Sequence, residues 1–185
     1  MSKVHFLNVT IDSLTMDEAV VVADELVKKR RCSFIVTPNV DHLVLLESNQ
    51  ELRDAYDRAD LVLADGMPIV WLSKYYGEKI KEKISGSDFL PRLCEMAAQR
   101  GYKMFFLGAA PGVAEKAAEK MRQRYEGLQI VGSFSPDIGF EESPDKISQV
   151  KSLIKAANPD ILVVAFGCPK QEVFINKYKD ELNIP

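Results

Sequence analysis

Histidine and cysteine are scarce in this 185-residue chain: His5 and His42, then Cys32, Cys94 and Cys168, all widely spaced. Three scattered cysteines argue against a disulfide framework and suit a reducing cytoplasm. Without a close cysteine pair or a histidine cluster there is no zinc-binding spacing, so no metal and no cofactor are expected. No run of roughly 18 apolar residues is present to span a bilayer. The N-terminal MSKVHFLNVT lacks the basic, apolar and small-residue pattern of a signal peptide. Basic runs are missing too, and the net charge is −3, so no nucleic-acid partner is expected.

What is present is the composition of an ordinary globular protein, 46% hydrophobic and 28% charged, enough for one domain over residues 1–185 to bury a core. VHFLNVTI reads as an extended segment. Thr15-Met16-Asp17-Glu18 matches a capping box, with Thr15 opening a helix that runs to about Arg30. SFIVTP (33–38) reads as a strand, and a second capping box, Ser48-Asn49-Gln50-Glu51, opens a helix to about Arg58. DLVLA (60–64), KMFFLG (103–108), LQIVGSF (128–134) and DILVVAFG (160–167) are further strands. Helices follow from GSDFLPRLCEMAAQRG with Gly101 as its stop, from PGVAEKAAEKMRQRY with Pro111 at its first position, from Ser143-Pro144, and from Pro169 onward. Apolar strands alternating with helices predict an α/β fold. We expect a single Rossmann-like domain whose mostly parallel sheet carries helices on both faces.

In open α/β sheets ligands bind beyond the carboxyl ends of the strands. Those ends hold Thr37-Pro38-Asn39, Asp65-Gly66-Met67-Pro68, Gly108 to Gly112, Ser135 to Gly139 with Asp137, and Gly167 to Glu172 with Gln171. All five contain Gly or Pro, and four add polar side chains able to bind a ligand. Each also has a plain structural reading. Asp65 either caps the helix after it or performs chemistry. Asn39 alone reads as a helix cap. Gly108–Gly112 is not GxGxxG, although the helix start behind it offers N–H groups to a diphosphate. Lys170-Gln171-Glu172 reads as a solvated first turn, Trp71 as core, and His42 as a helix-surface residue.

In order along the chain, TPN (37–39), ADGMPIVW (64–71), SGSD (85–88), FLGAAPGVAEKA (106–117) and GCPKQE (167–172) resemble the motifs of the WecG/TagA/CpsF glycosyltransferases. The resemblance is closest to the TagA branch and covers nearly all of the chain. It implies an inverting transfer of N-acetylmannosamine from UDP-N-acetylmannosamine to N-acetylglucosamine on an undecaprenyl-diphosphate carrier, the step that makes the linkage disaccharide of wall teichoic acid. It also implies a cytoplasmic protein peripherally associated with the inner face of the cell membrane. By this resemblance Asp65 is the catalytic aspartate, Thr37 and Asn39 belong to the pocket, and Gln171 is the glutamine of the GxPKQE motif. One-step inversion needs a base that removes the acceptor hydroxyl proton, the role given to Asp65. Thr37 and Asn39 would then hold the donor sugar or orient that base. The Gly108 loop and cationic side chains such as Lys83 would face the diphosphate, and the loop with Asp137 the uridine. No Asp-x-Asp triplet occurs, so a metal-independent reaction is expected, with N–H donors and cations in the metal's place.

Two departures stand out. Lys83 occupies ground where the family often has arginine, and lysine supplies charge but no bidentate fork. The chain also stops at Pro185, before the further strand, FD-containing segment and Arg-rich C-terminal appendage that the resemblance implies, so part of the site is expected outside these residues. Open alternatives are a sister sugar specificity such as N-acetylmannosaminuronic acid, a phosphohydrolase with Asp65 as nucleophile, and a non-catalytic nucleotide-binding module. The sequence does not decide between a monomer and a homo-oligomer.

Overall fold

The computed structural model describes residues 2–77 and 79–185. Where one extended segment was expected, β1 (Lys3–Phe6) and β2 (Val9–Asp12) form an antiparallel hairpin. Helix α1 (Met16–Lys28) opens on the expected capping box: Glu18 N donates to Thr15 Oγ1, and Thr15 N to the Glu18 carboxylate. A cap of this kind contributes about 1 kcal/mol. Next come β3 (Ile35–Val36), α2 (Val40–Leu46), α3 (Gln50–Asp57), β4 (Leu61–Val62), α4 (Met67–Tyr75) and α5 (Gly86–Arg100). The second capping box is not built as expected, because Asn49 rather than Ser48 accepts from Leu52 N. Then follow β5 (Lys103–Gly108), α6 (Val113–Arg124), β6 (Gln129–Phe134), a 3-10 turn, α7 (Pro144–Ala157), β7 (Ile161–Ala165) and α8 (Lys170–Leu182). Pro111 lies ahead of α6, whose N-cap is Gly112.

β3 pairs with β4 in parallel, and β6-β5-β7 form a parallel three-stranded sheet, which gives the expected Rossmann-like α/β fold. Side chains alternate across these strands, and β4 and β5 are covered on both faces. From β4 onward, Leu61 and Leu63 pack with α1 and α5, while Val62 and Ala64 pack with α2, α3 and α4. In β5, Met104 and Phe106 meet α5 and α6, whereas Phe105 and Leu107 meet α7 and α8. Each fully buried side chain of this size stabilises by about 1.5–3 kcal/mol. β7 is less covered. It and β3 face one mainly apolar cavity of about 450 Å³, and among the described residues no ladder joins the two strands.

Three aspartates finish the strand edges. Asp12 accepts from Val62 N at 3.0 Å, Asp60 from Phe34 N at 3.1 Å and Asp160 from Lys103 N at 2.9 Å. Each also pairs with a cation, respectively Lys3, Arg31 and Arg30. The Val62 N–H is buried and would be costly without an acceptor, so Asp12 has a structural purpose.

The β5–β6 register jumps from Met104↔Ile130 to Phe105↔Gly132, leaving Val131 as a bulge. The Phe105 ring lies across Gly132, where an added Cβ would stand 2.4 Å from Phe105 Cε2. Gly132→Ala is therefore expected to destabilise by about 1–3 kcal/mol through overpacking. Urea unfolding reads this directly, and an unchanged midpoint would show that the ring has room to move.

Candidate active site

β4 gives way to α4 at Asp65-Gly66. Gly66 is the N-cap, with φ 115°, a conformation that strains any residue bearing a Cβ, and no side chain caps this helix. Asp65 is thus not the cap that one reading made it. Its own N–H donates to Pro38 O at 2.8 Å, tying the two strand ends together. Its carboxylate accepts from Gly86 N at the start of α5.

The Asp65 carboxyl is half-buried, and this burial raises its pKa above the ordinary carboxylate value. Lys83, the Gly86 N–H and His42 pull the other way, and Asp88 adds to the rise. Lys83 acts from beyond ion-pair distance, since its ammonium is held by Asp88 at 2.5 Å. Ser85 explains why Asp88 is there. It caps α5 by accepting from Asp88 N and donates its hydroxyl proton to Asp88 Oδ2 at 2.7 Å. Thr37 closes the group, its Oγ1 lying where a Cβ on Gly86 would come within 3.4 Å.

The other expected site residues divide. Asn39 is the N-cap of α2, accepting from His42 N at 3.1 Å, as its plain reading has it. Gln171 lies in the first turn of α8, where its amide donates to Glu172 Oε1 at 2.8 Å and accepts from Gly167 N at 3.1 Å. Thr37 and Gln171 both line the cavity between β3 and β7. Gly108 and Asp137 have no described contact with this group. Gly108 lets β5 and β7 approach closely, because a Cβ there would stand 2.6 Å from Ala165 O. Asp137 is exposed and paired with Lys146 at 2.9 Å.

Three sequence readings are corrected. His42 is not a surface residue: it is 9% exposed, with Nδ1 2.8 Å from Tyr56 Oη. Its spacing of one turn from buried Leu46 was the available signal. Trp71 is not core but 60% exposed, because Ile69, Val70 and Ser73 take the buried side of α4. Glu172, expected in a solvated turn, is 1% exposed. Sequence spacing also concealed a cluster: ligand-type atoms of His42, Cys168 and Glu172 all lie within 4.8 Å of one another.

Residues 4–185 match the model of the glycosyl transferase WecG/TagA/CpsF family. Over 147 residues the chain is 31% identical to the N-acetylglucosaminyldiphosphoundecaprenol N-acetyl-beta-D-mannosaminyltransferase of Bacillus spizizenii. That alignment covers 80% of this chain and 55% of the relative, so the chain spans about half the relative's length.

Lys83 favours the ionised form of Asp65, so its removal has a definite sign. Lys83→Gln is expected to raise the Asp65 pKa further, moving its deprotonation to higher pH. A carbon-13 NMR titration of the carboxyl measures this, and an unmoved midpoint would refute the coupling.

Proposed function

The chain belongs to the glycosyl transferase WecG/TagA/CpsF family, and from that premise we propose that it moves N-acetylmannosamine from UDP-N-acetylmannosamine to N-acetylglucosamine on an undecaprenyl-diphosphate carrier, with inversion. The Bacillus spizizenii relative is named for that sugar and that carrier, which supports the choice of donor sugar and acceptor. The chemistry rests on one observation. Asp65 is a carboxylate at a strand's carboxyl end that caps no helix, forms no ion pair among the described residues, and has a raised pKa.

As general base, Asp65 takes the acceptor hydroxyl proton while that oxygen attacks the anomeric carbon. The bond from that carbon to the diphosphate breaks on the opposite face, and UDP leaves with the electron pair. A pKa moved up toward the working pH makes the carboxylate a more effective base. Lys83 supplies positive charge beside it, and Thr37 and Gln171 lie on the adjoining cavity wall.

Asp65→Asn is expected to lower kcat by about 10²–10⁴-fold while UDP binding and thermal stability persist. Near wild-type turnover would remove Asp65 from the base role. Because the base must be ionised, the wild-type rate is expected to fall with decreasing pH from a point above the usual carboxylate range.

A lipid-borne acceptor brings the protein to a membrane surface. Among the described residues no helix is long and apolar enough to cross a membrane. Met67, Trp71 and Tyr75, four residues apart on α4, are exposed, as are Leu72 on α4 and Val40 and Val44 on α2. Such a row, starting two residues from Asp65, suits the interfacial zone of a bilayer. Replacing Trp71 and Tyr75 together by serine is expected to reduce co-sedimentation with anionic vesicles. Unchanged sedimentation would place the contact elsewhere.

A further inference from the structure

His42 comes from α2, Cys168 from the turn after β7, and Glu172 from the first turn of α8. We propose that the His42 imidazole, the Cys168 sulfur and one Glu172 carboxylate oxygen form a binding site for a borderline-soft divalent transition-metal ion, zinc(II) being the best chemical match. No step of the transfer reaction above runs through it.

The ligand atoms already lie within 4.8 Å of one another. Ligands on one tetrahedral zinc stand about 3.3–3.6 Å apart, given Zn–N near 2.0 Å and Zn–S near 2.3 Å. The triangle therefore has to close by about 1 Å, within reach of small rotations of these side chains. Glu172 supplies an independent pointer. It is 1% exposed, its Oε1 accepts from Gln171, its Oε2 is buried without a hydrogen bond of ordinary geometry, and the Cys168 thiol lies beside the carboxylate. A buried carboxylate oxygen in that condition calls for a positive charge.

The imidazole is prepared in the same sense. Its Nδ1 is engaged by Tyr56 Oη at 2.8 Å, while Nε2 makes no described hydrogen bond. Metal-binding histidines are commonly held by such an outer contact on the second nitrogen. On binding, the ion takes the Cys168 thiolate's electron pair and the thiol proton passes to solvent. Mixed nitrogen, sulfur and oxygen donors favour zinc over magnesium or calcium, which take oxygen. Three protein ligands leave the fourth position to water. The ion would tie α2, which Asn39 caps, to the first turn of α8, which carries Gln171.

The test uses the chelator-stripped chain. After dialysis against zinc(II), we expect one tightly held ion per chain by elemental analysis. With cobalt(II) we expect a thiolate charge-transfer band and the visible bands of a tetrahedral ion. Cys168→Ser should abolish the charge-transfer band, and Tyr56→Phe should weaken binding by about 10–100-fold. Cys32→Ser should change neither. Far-UV circular dichroism checks that each variant is folded. Failure of the wild-type chain to take up zinc, or equal uptake by Cys168→Ser, would overturn the proposal.

Discussion

Leu61 and Leu63 face one layer of helices while Val62 and Ala64 face the other, and Met104, Phe106, Phe105 and Leu107 repeat the arrangement one sheet across. This two-sided burial is the constraint on which the remaining elements depend. A strand covered on both faces leaves little room for polar side chains along its length, so they gather at its ends. Helices must cover both faces, and parallel pairing requires each connection to cross over. The loops that carry Thr37, Asn39, Asp65 and Gln171 follow from that geometry.

Carboxylates at the strand ends do different work according to what they touch. Asp12, Asp60 and Asp160 accept strand N–H groups and pair with Lys3, Arg31 and Arg30. Asp65 has a single described N–H partner, Gly86, and burial raises its pKa. Gly66 takes over the helix cap and so relieves Asp65 of structural duty. Lys83 is steadied by Asp88, which Ser85 holds in turn, so the positive charge beside Asp65 is fixed without neutralising it directly.

A second polar centre lies between α2 and α8. His42 touches Tyr56, and Gln171 touches Glu172. Nothing in the spacing of residues 42, 168 and 172 suggests a common site. It exists because α2 and the first turn of α8 pack into the same region, a long-range consequence of the sheet.

Local signals were sufficient for the class of fold, for the strand KMFFLG, for the cap at Thr15 and for the helix start at Ser143. Each depends on residues within one turn or one strand, where propensity and capping chemistry act directly. The site motifs were also visible as Gly- and Pro-containing strand ends, and the family followed from their order. Other features depended on tertiary contacts. Asp65 could be told from a helix cap only once Gly66 was seen at the N-cap. A structural need for glycine at 108, set by the carbonyl of Ala165 57 residues away in sequence, was likewise invisible locally. His42 and Glu172 looked solvated because short amphipathic segments do not reveal which side a neighbouring element will cover. Burial, and with it the pKa of a carboxylate, is set by the packing of distant segments, and that is the physical reason the tertiary structure had to decide it.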